Sequence, residues 1–232
     1  MISEEEFKEN LKRLFGRIEK ACECENRNPD DISILPVTKN WPIEAVQYSR
    51  NAGFNRVGEN RVQEAIEKQN NSILLDMNWD LIGHLQSNKV RWIPGNFARV
   101  QTVDSIKLIK KLEKILNHEN KKLGIFLQVN TGKDPAKAGI FENQCEELVD
   151  AVLNSNFLNL EGFMTIAPYA PDEPSIARLA FSRLRNLRDR ISENYHIEIP
   201  ELSMGMSEDL REAIAEGSTM IRVGSALFGT RD

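Results

Sequence analysis

The sequence predicts an α/β protein folded as a single (β/α)8 (TIM) barrel with an extra helix at its N-terminus. First, eight short apolar runs, most of them containing β-branched or aromatic residues, recur along the chain as buried strands do. Second, helix-like stretches separate these runs at intervals of roughly 20 to 40 residues, which is typical of parallel βα units. Third, the chain has 232 residues, within the range of such barrels, where about 250 residues are typical.

The predicted elements follow from local patterns, in chain order. A first helix has its apolar residues at helical spacing on one face: Phe7, Leu11, Leu14, Phe15 and Ile18. The next helix begins at Pro42 and stops at Gly53, and Asp104 or Ser105 caps a later one. Apolar spacing predicts further helices over 148–153, 176–191 and 209–217. The predicted strands cover 32–39, 54–60, 79–85, 99–103, 124–130, 160–167, 201–206 and 219–225.

The first strand argues against the main alternative, an open doubly wound sheet. Such a sheet would place its phosphate loop after strand one, but the stretch VTKNWP contains no glycine-rich loop. It would also usually need fewer strands. Because the chain shows no linker-like stretch, low-complexity segment or internal repeat, we expect one domain over residues 1–232.

Composition excludes several classes of partner. The net charge of -5 argues against a nucleic-acid or anionic-membrane surface. The start MISEEEFKEN is too charged for a signal peptide, and no apolar run approaches the roughly 20 residues of a membrane span. The three cysteines suggest neither a disulfide framework nor a metal site. We therefore expect a cytoplasmic protein.

In a barrel of this kind the function resides at the carboxyl ends of the strands. The residues there are Lys39, Asn60, His84, Asp104, Asn130, Thr165, residues 203–207, Gly224 and Ser225. Small residues after strands seven and eight suit a phosphate, although Gly205 and Gly224 could instead serve turn geometry. Lys39 could hold a phosphate, form a Schiff base or be a solvated strand end. His84 could line the mouth or cap a helix.

Several motifs resemble one known family. They are ILPVTKNWPIEAV, GFNRVGENRVQEA, WDLIGHLQSNK, IFLQVNTGKDPAKAGI, LEGFMTIAP and LSMGMSEDLREAIAEGSTMIRVGSALFG. In this order they resemble the pyridoxal-phosphate homeostasis protein family (YggS/PROSC), from strand one to nearly the last residue. Thr38 departs from the family, which more often has serine there; we expect it to point away from the lumen, so little follows.

The resemblance implies a fold, a cofactor and its binding residues. The fold would be a barrel related to the N-terminal domain of alanine racemase, and Lys39 would carry pyridoxal 5′-phosphate as an internal aldimine. Asn60 would lie near the ring, and Arg222 would face the pyridine nitrogen. The phosphate would be bound by Ser207, Gly224 and Ser225. Ser203, on the strand that leads to Ser207, is a further candidate for cofactor binding.

Two functions remain open beside the resemblance. An amino-acid racemase would need a second proton donor or acceptor opposite Lys39, in the racemases a tyrosine from a separate domain. The chain ends seven residues after Ser225, so we expect no such domain, and only Tyr169 could reach the mouth. We therefore expect a monomeric carrier that holds, buffers or delivers the cofactor without turnover, with apo enzymes that depend on it as recipients. A purely regulatory protein with a vestigial barrel is the other alternative.

Overall fold

Eight parallel strands form one sheet in the computed structural model, which describes residues 1–70 and 76–230. The strands are β1 (Ser33–Pro36), β2 (Arg56–Glu59), β3 (Asn78–Leu81), β4 (Arg99–Val103), β5 (Leu123–Gln128), β6 (Leu158–Met164), β7 (Glu201–Ser203) and β8 (Met220–Val223). Each predicted strand is found, and most are shorter at the ends than predicted.

The sheet closes into a barrel through β1. On one side, β1 pairs with β8 in a register that places Pro36 opposite Val223. On the other side, Val37 forms a bridge with Gly58 next to β2, and the Thr38 amide donates to the Gly58 carbonyl at 3.0 Å. The predicted TIM barrel is therefore confirmed.

Helices surround the barrel and cover its outer face. They are α1 (Glu4–Cys24), α2 (Glu44–Asn51), α3 (Val62–Gln69), α4 (Ile106–Glu119), α5 (Cys145–Leu153), α6 (Pro174–Tyr195), α7 (Leu210–Ala215) and the short α8 (Ser225–Phe228). Between β3 and β4, the described residues form a 3-10 helix, Val90–Trp92, rather than an α-helix. Across residues 1–70 and 76–230, no helix combines the length and apolar character needed to cross a bilayer.

The predicted extra helix, α1, precedes the barrel and packs on α7 and α8. The ring of Phe7 stacks on that of Phe228 with centroids 5.4 Å apart. Phe15 does not join this face as predicted, since it is 46% exposed. At about 100° per residue, Phe15 lies roughly 80° around the helix from Phe7, at the edge of the apolar face.

The amino-terminal end of the barrel is filled by a buried arginine with carboxylates. Arg99 on β4 donates to Asp80 on β3 at 2.9 Å and to Glu201 on β7 at 2.5 Å. Glu161 lies 3.6 Å from the same guanidinium. Since β4 and β7 are not neighbours in the sheet, the contact with Glu201 crosses the barrel interior. At this end of the barrel, carboxylates therefore compensate the buried charge of Arg99.

Candidate functional site at the mouth of the barrel

Strand register brings the ends of β1 and β2 together at the carboxyl-terminal mouth. Lys39 and Asn60 each follow the Val37–Gly58 bridge by two residues. Both side chains are half-buried. The Asn60 carbonyl and side chain occupy the space that a Cβ on Gly83 would need, so only glycine fits there. Lys39 and Asn60 therefore lie at the same end of two neighbouring strands.

Lys39 lies in a tight turn. The Trp41 amide donates to the Thr38 carbonyl at 3.1 Å, so Lys39 and Asn40 are the two central residues. Asn40 has φ of 57°, a left-handed conformation that asparagine tolerates better than most residues. Thr38 is buried against Glu59 and against Lys68 of α3. It therefore faces the helix layer, as the sequence predicts.

Two hydroxyls and the Ala226 amide meet where β7 and β8 end. The Ser225 hydroxyl lies 3.3 Å from the Ser207 hydroxyl, which also accepts from the Ala226 amide at 3.3 Å. Ser207 is buried and Ser225 is exposed. From the other side, Arg17 of α1 donates to the Ser207 carbonyl at 2.5 Å. Hydroxyl and amide donors in such a cluster suit an anionic oxygen.

The two glycines of these loops differ in what their backbones require. Gly205 has φ of 94°, and a Cβ there would lie 2.5 Å from the Cβ of Ala213, so turn geometry and packing explain it. Gly224 has φ of -112°, which any residue adopts. A Cβ on Gly224 would meet only Val37 at ordinary distances of 3.5 Å or more. The fold itself therefore does not require glycine at 224.

Arg222 of β8 is buried beside these loops, and no carboxylate of the described residues forms an ion pair with it. Its guanidinium donates to the Ser203 carbonyl at 2.6 Å, the Ser203 hydroxyl at 2.9 Å and the Thr165 carbonyl at 2.8 Å. Burial lowers the pKa of Arg222 to about 10, and the charge of Asp209 opposes this only in part. Burial in turn raises the pKa of Asp209. The mouth thus contains a buried cation satisfied mainly by neutral oxygens.

Ser203 lies deeper than the other predicted site residues. Its hydroxyl donates to the side chain of Gln101 on β4 at 2.6 Å and accepts from Arg222. Since β7 and β4 face each other across the barrel, Ser203 points into the interior. It supports Arg222 from below.

Two other strand-end residues, His84 and Asp104, contact each other. His84 is exposed, with Nδ1 3.8 Å from Asp104. Burial raises the pKa of Asp104, an effect that His84 partly offsets. The cap of α4 is Ser105, whose hydroxyl accepts from the Leu108 amide, so Asp104 is not the cap. Among the described residues, no contact of His84 indicates whether it lines the mouth or caps a helix.

Two of the three tyrosines lie away from the cluster, and the third, Tyr169, lines a cleft with residues on both sides of Ser207. Tyr48 of α2 packs against Phe7, with ring centroids 6.0 Å apart. Tyr195 of α6 donates to Asp150 of α5 at 2.9 Å, on the outside of the barrel. Tyr169 follows β6, is 77% exposed and lines a cleft of about 240 Å³ together with Met206 and other residues.

Sequence reasoning missed three charged residues beneath Lys39: Glu59, Glu64 and Lys68. They form a buried network that contacts both chain neighbours of Lys39. The spacing of Glu64 and Lys68, four residues apart, signals a helical ion pair. It does not signal burial, because lysines on an amphipathic helix are usually exposed.

Among residues 1–70 and 76–230, no group of three His, Cys, Asp or Glu side chains could hold a metal ion.

Comparison with known proteins gives a consistent family. The model of the alanine racemase N-terminal domain matches residues 5–232. A protein of Aquifex aeolicus named pyridoxal phosphate homeostasis protein is 36% identical over 223 residues, covering 96% of this chain and 97% of that protein.

Solved structures agree. PipY of Synechococcus elongatus, solved with pyridoxal phosphate bound, has a TM-score of 0.80 and 33% identity, covering 91% of this chain and 99% of that chain. An alanine racemase of Clostridium difficile also has a TM-score of 0.80, with 16% identity, and covers 98% of this chain. This chain matches 57% of that racemase, and at such identity the likeness shows the fold alone.

Proposed function

The chain belongs to the pyridoxal phosphate homeostasis protein family, with the fold of the alanine racemase N-terminal domain, and from this we propose that it binds pyridoxal 5′-phosphate at the barrel mouth. Its role is to hold, buffer or deliver this cofactor. The relatives' names and the ligand bound to PipY support the cofactor. The observation that carries the site is the convergence of an amine, two hydroxyls and a buried guanidinium at the ends of β1, β7 and β8.

The described residues fit such a group. A phosphate can be bound by the paired hydroxyls of Ser207 and Ser225 and by the amides beside them. The absence of a side chain at Gly224, which neither its φ angle nor local packing requires, leaves the backbone open to close approach by a ligand. We propose that Asn60, after the end of β2, contacts the ring.

Lys39 supplies the covalent attachment. The cofactor carries an aldehyde, which an uncharged lysine amine attacks at carbon. The carbonyl oxygen and the two amine hydrogens leave as water, and a C=N bond joins Lys39 Nζ to the cofactor.

Arg222 is assigned to the pyridine nitrogen and supports a carrier rather than an enzyme. Its positive charge disfavours protonation of the ring, so the ring is a weaker electron sink than one paired with a carboxylate. Among the described residues, no tyrosine contacts the cluster that would face a substrate. We therefore propose that the protein has no turnover of its own. Ser203 contributes indirectly, by holding the Arg222 guanidinium.

The proposal extends to the setting of the protein. Three free cysteines, Cys22, Cys24 and Cys145, fit a reducing compartment such as the cytoplasm. The family model spans residues 5–232, which supports one cofactor-binding domain. We propose a monomer whose recipients are apo enzymes that use pyridoxal phosphate.

A spectral titration followed by transfer tests the proposal. Adding pyridoxal phosphate to the protein should produce the absorbance band of a lysine C=N adduct, and Lys39→Ala should lose that band while retaining weaker binding through the phosphate. The loaded protein, mixed with an apo enzyme, should then restore that enzyme's activity.

Three results would count against it. Protein that is colourless once the unbound cofactor has been removed would rule out the cofactor assignment. Transfer no faster than from free cofactor would rule out delivery. Loss of optical activity from L-alanine at an enzyme-like rate would instead favour a racemase.

A further inference from the structure

The turn that presents Lys39 is held by a buried charged network on its helix side. Lys68 of α3 is 8% exposed, and its ammonium group donates to three oxygens. These are the Thr38 carbonyl at 2.8 Å, Glu59 Oε1 at 2.7 Å and Glu64 Oε1 at 2.9 Å. All three donors of the ammonium group are thus used within the protein.

The same network binds both chain neighbours of Lys39. On the preceding side, the Thr38 hydroxyl donates to Glu59 Oε1 at 2.6 Å. On the following side, the Asn40 amide donates to Glu64 Oε1 at 2.5 Å. The main chain is therefore fixed immediately before and immediately after the lysine, including the left-handed Asn40.

The network is costly as a purely structural feature. Glu59 is fully buried, and its second carboxylate oxygen has no hydrogen-bond partner among the described residues. A buried ion pair with an unsatisfied oxygen contributes little to stability, and an apolar packing of similar volume often does as well. A role in placing the neighbouring lysine accounts for the arrangement.

We propose that Glu59, Glu64 and Lys68 are positioning residues for Lys39, fixing the turn so that the lysine amine meets the cofactor aldehyde. The inference rests on the proposed function. Attack by an amine held in place is faster and more favourable than attack by one that must first be ordered. The network should therefore strengthen covalent attachment while leaving the phosphate and ring contacts unchanged.

Two ligands separate these effects. Pyridoxal 5′-phosphate carries the aldehyde, whereas pyridoxamine 5′-phosphate carries an amine there and forms no C=N bond with Lys39. Glu64→Ala removes the acceptor of the Asn40 amide. We expect it to weaken binding of pyridoxal phosphate by about tenfold, as expected for one charge-assisted hydrogen bond. Binding of pyridoxamine phosphate should change less than about twofold, well below the worth of such a bond.

Matched variants complete the design. Glu67→Ala, on the same helix and exposed, makes the same change in charge and should affect neither ligand. Glu64→Gln keeps an acceptor oxygen and should recover part of the loss. Glu64 is a safer choice than Lys68, because removing the lysine would leave the Glu59 carboxylate buried and uncompensated. Melting temperatures of the apo proteins check folding.

The outcomes are distinct. Selective loss of pyridoxal phosphate binding in Glu64→Ala supports the inference. Equal weakening of both ligands means that Glu64 holds the mouth as a whole, and no change in either means that the turn needs no support; both results overturn it. If the parent protein binds pyridoxamine phosphate but gives no C=N band with pyridoxal phosphate, the proposed function is contradicted. This inference is then contradicted as well.

Discussion

Two buried arginines lie at opposite ends of the same barrel and are compensated in opposite ways. Arg99 at the amino-terminal end is surrounded by Asp80, Glu161 and Glu201. Burial alone would lower its pKa, but these carboxylates outweigh burial and raise it. Arg222 at the mouth donates to carbonyl and hydroxyl oxygens, and burial lowers its pKa to about 10.

A chain of hydrogen bonds through the barrel joins the two ends. Asp80 accepts from Arg99 and also from Gln101, at 2.9 and 2.7 Å. Gln101 accepts from Ser203, which accepts from Arg222. Three carboxylates thus surround Arg99 at one end, whereas the charge of Arg222 at the mouth is offset only in part, by Asp209. This contrast supports the proposal that Arg222, unlike Arg99, acts on a ligand.

The largest effect on stability is expected at the amino-terminal end of the barrel, around Arg99. Arg99→Met would leave buried carboxylates with Arg56 as the nearest remaining cation, 2.6 Å from Asp80. Breaking a buried pair from one side costs about 3–5 kcal/mol. Because Arg56 remains, we expect a loss near the lower figure in urea unfolding. A loss below about 1 kcal/mol, the range of exposed pairs, would show that the ion pairs of Arg99 do not stabilise this end of the barrel.

A smaller stability effect and a larger cofactor effect are expected for Arg222→Met. Unpaired neutral oxygens cost about 1–3 kcal/mol, and the variant no longer buries a charge, so unfolding should be less affected than in Arg99→Met. In the loaded protein the ring nitrogen should gain a proton near neutral pH, since the opposing charge is gone. Nitrogen NMR of a ring-labelled cofactor measures this. An unchanged nitrogen signal would show that Arg222 does not affect protonation of the ring nitrogen.

The smallest effect is expected at Asp209, whose charge acts on Arg222 from a distance. Burial raises its folded-state pKa above 3.8, so the folded protein keeps this proton to higher pH than the unfolded chain does. The resulting stability is complete below the unfolded pKa and is lost as pH rises through the folded pKa.

Asp209→Asn abolishes that titration. Relative to the parent protein, the variant should therefore gain stability as pH rises above about 3.8, the ordinary pKa of an aspartate. Melting temperatures measured across this range give the comparison. A parallel pair of curves would show that Asp209 is solvated rather than buried.

The fold could be predicted from the sequence because each strand is a short apolar run and the helices repeat between them. The positions of Lys39, Asn60, Ser207 and Ser225 at one mouth follow from that order alone, since parallel strands end at the same side of a barrel. Their roles as ligands remain predictions.

Features that depend on contacts between distant segments could not be predicted in this way. Lys68 reads as an exposed helical lysine, and its burial becomes visible only when α3 packs behind β1 and β2. Ser203 shares a strand end with Ser207, but the direction of its side chain, toward Gln101, requires the barrel's cross-section. Phe15 illustrates the same limit, because periodicity gives the centre of an apolar face and not its width.

Chemical trapping of the bound cofactor tests the central claim most directly. The protein is incubated with pyridoxal phosphate, the C=N bond is reduced with borohydride to a stable secondary amine, and the modified peptide is identified by mass spectrometry. We expect the modification on Lys39. Attachment instead to Lys68 or Lys137, or no attachment at all, would contradict the account.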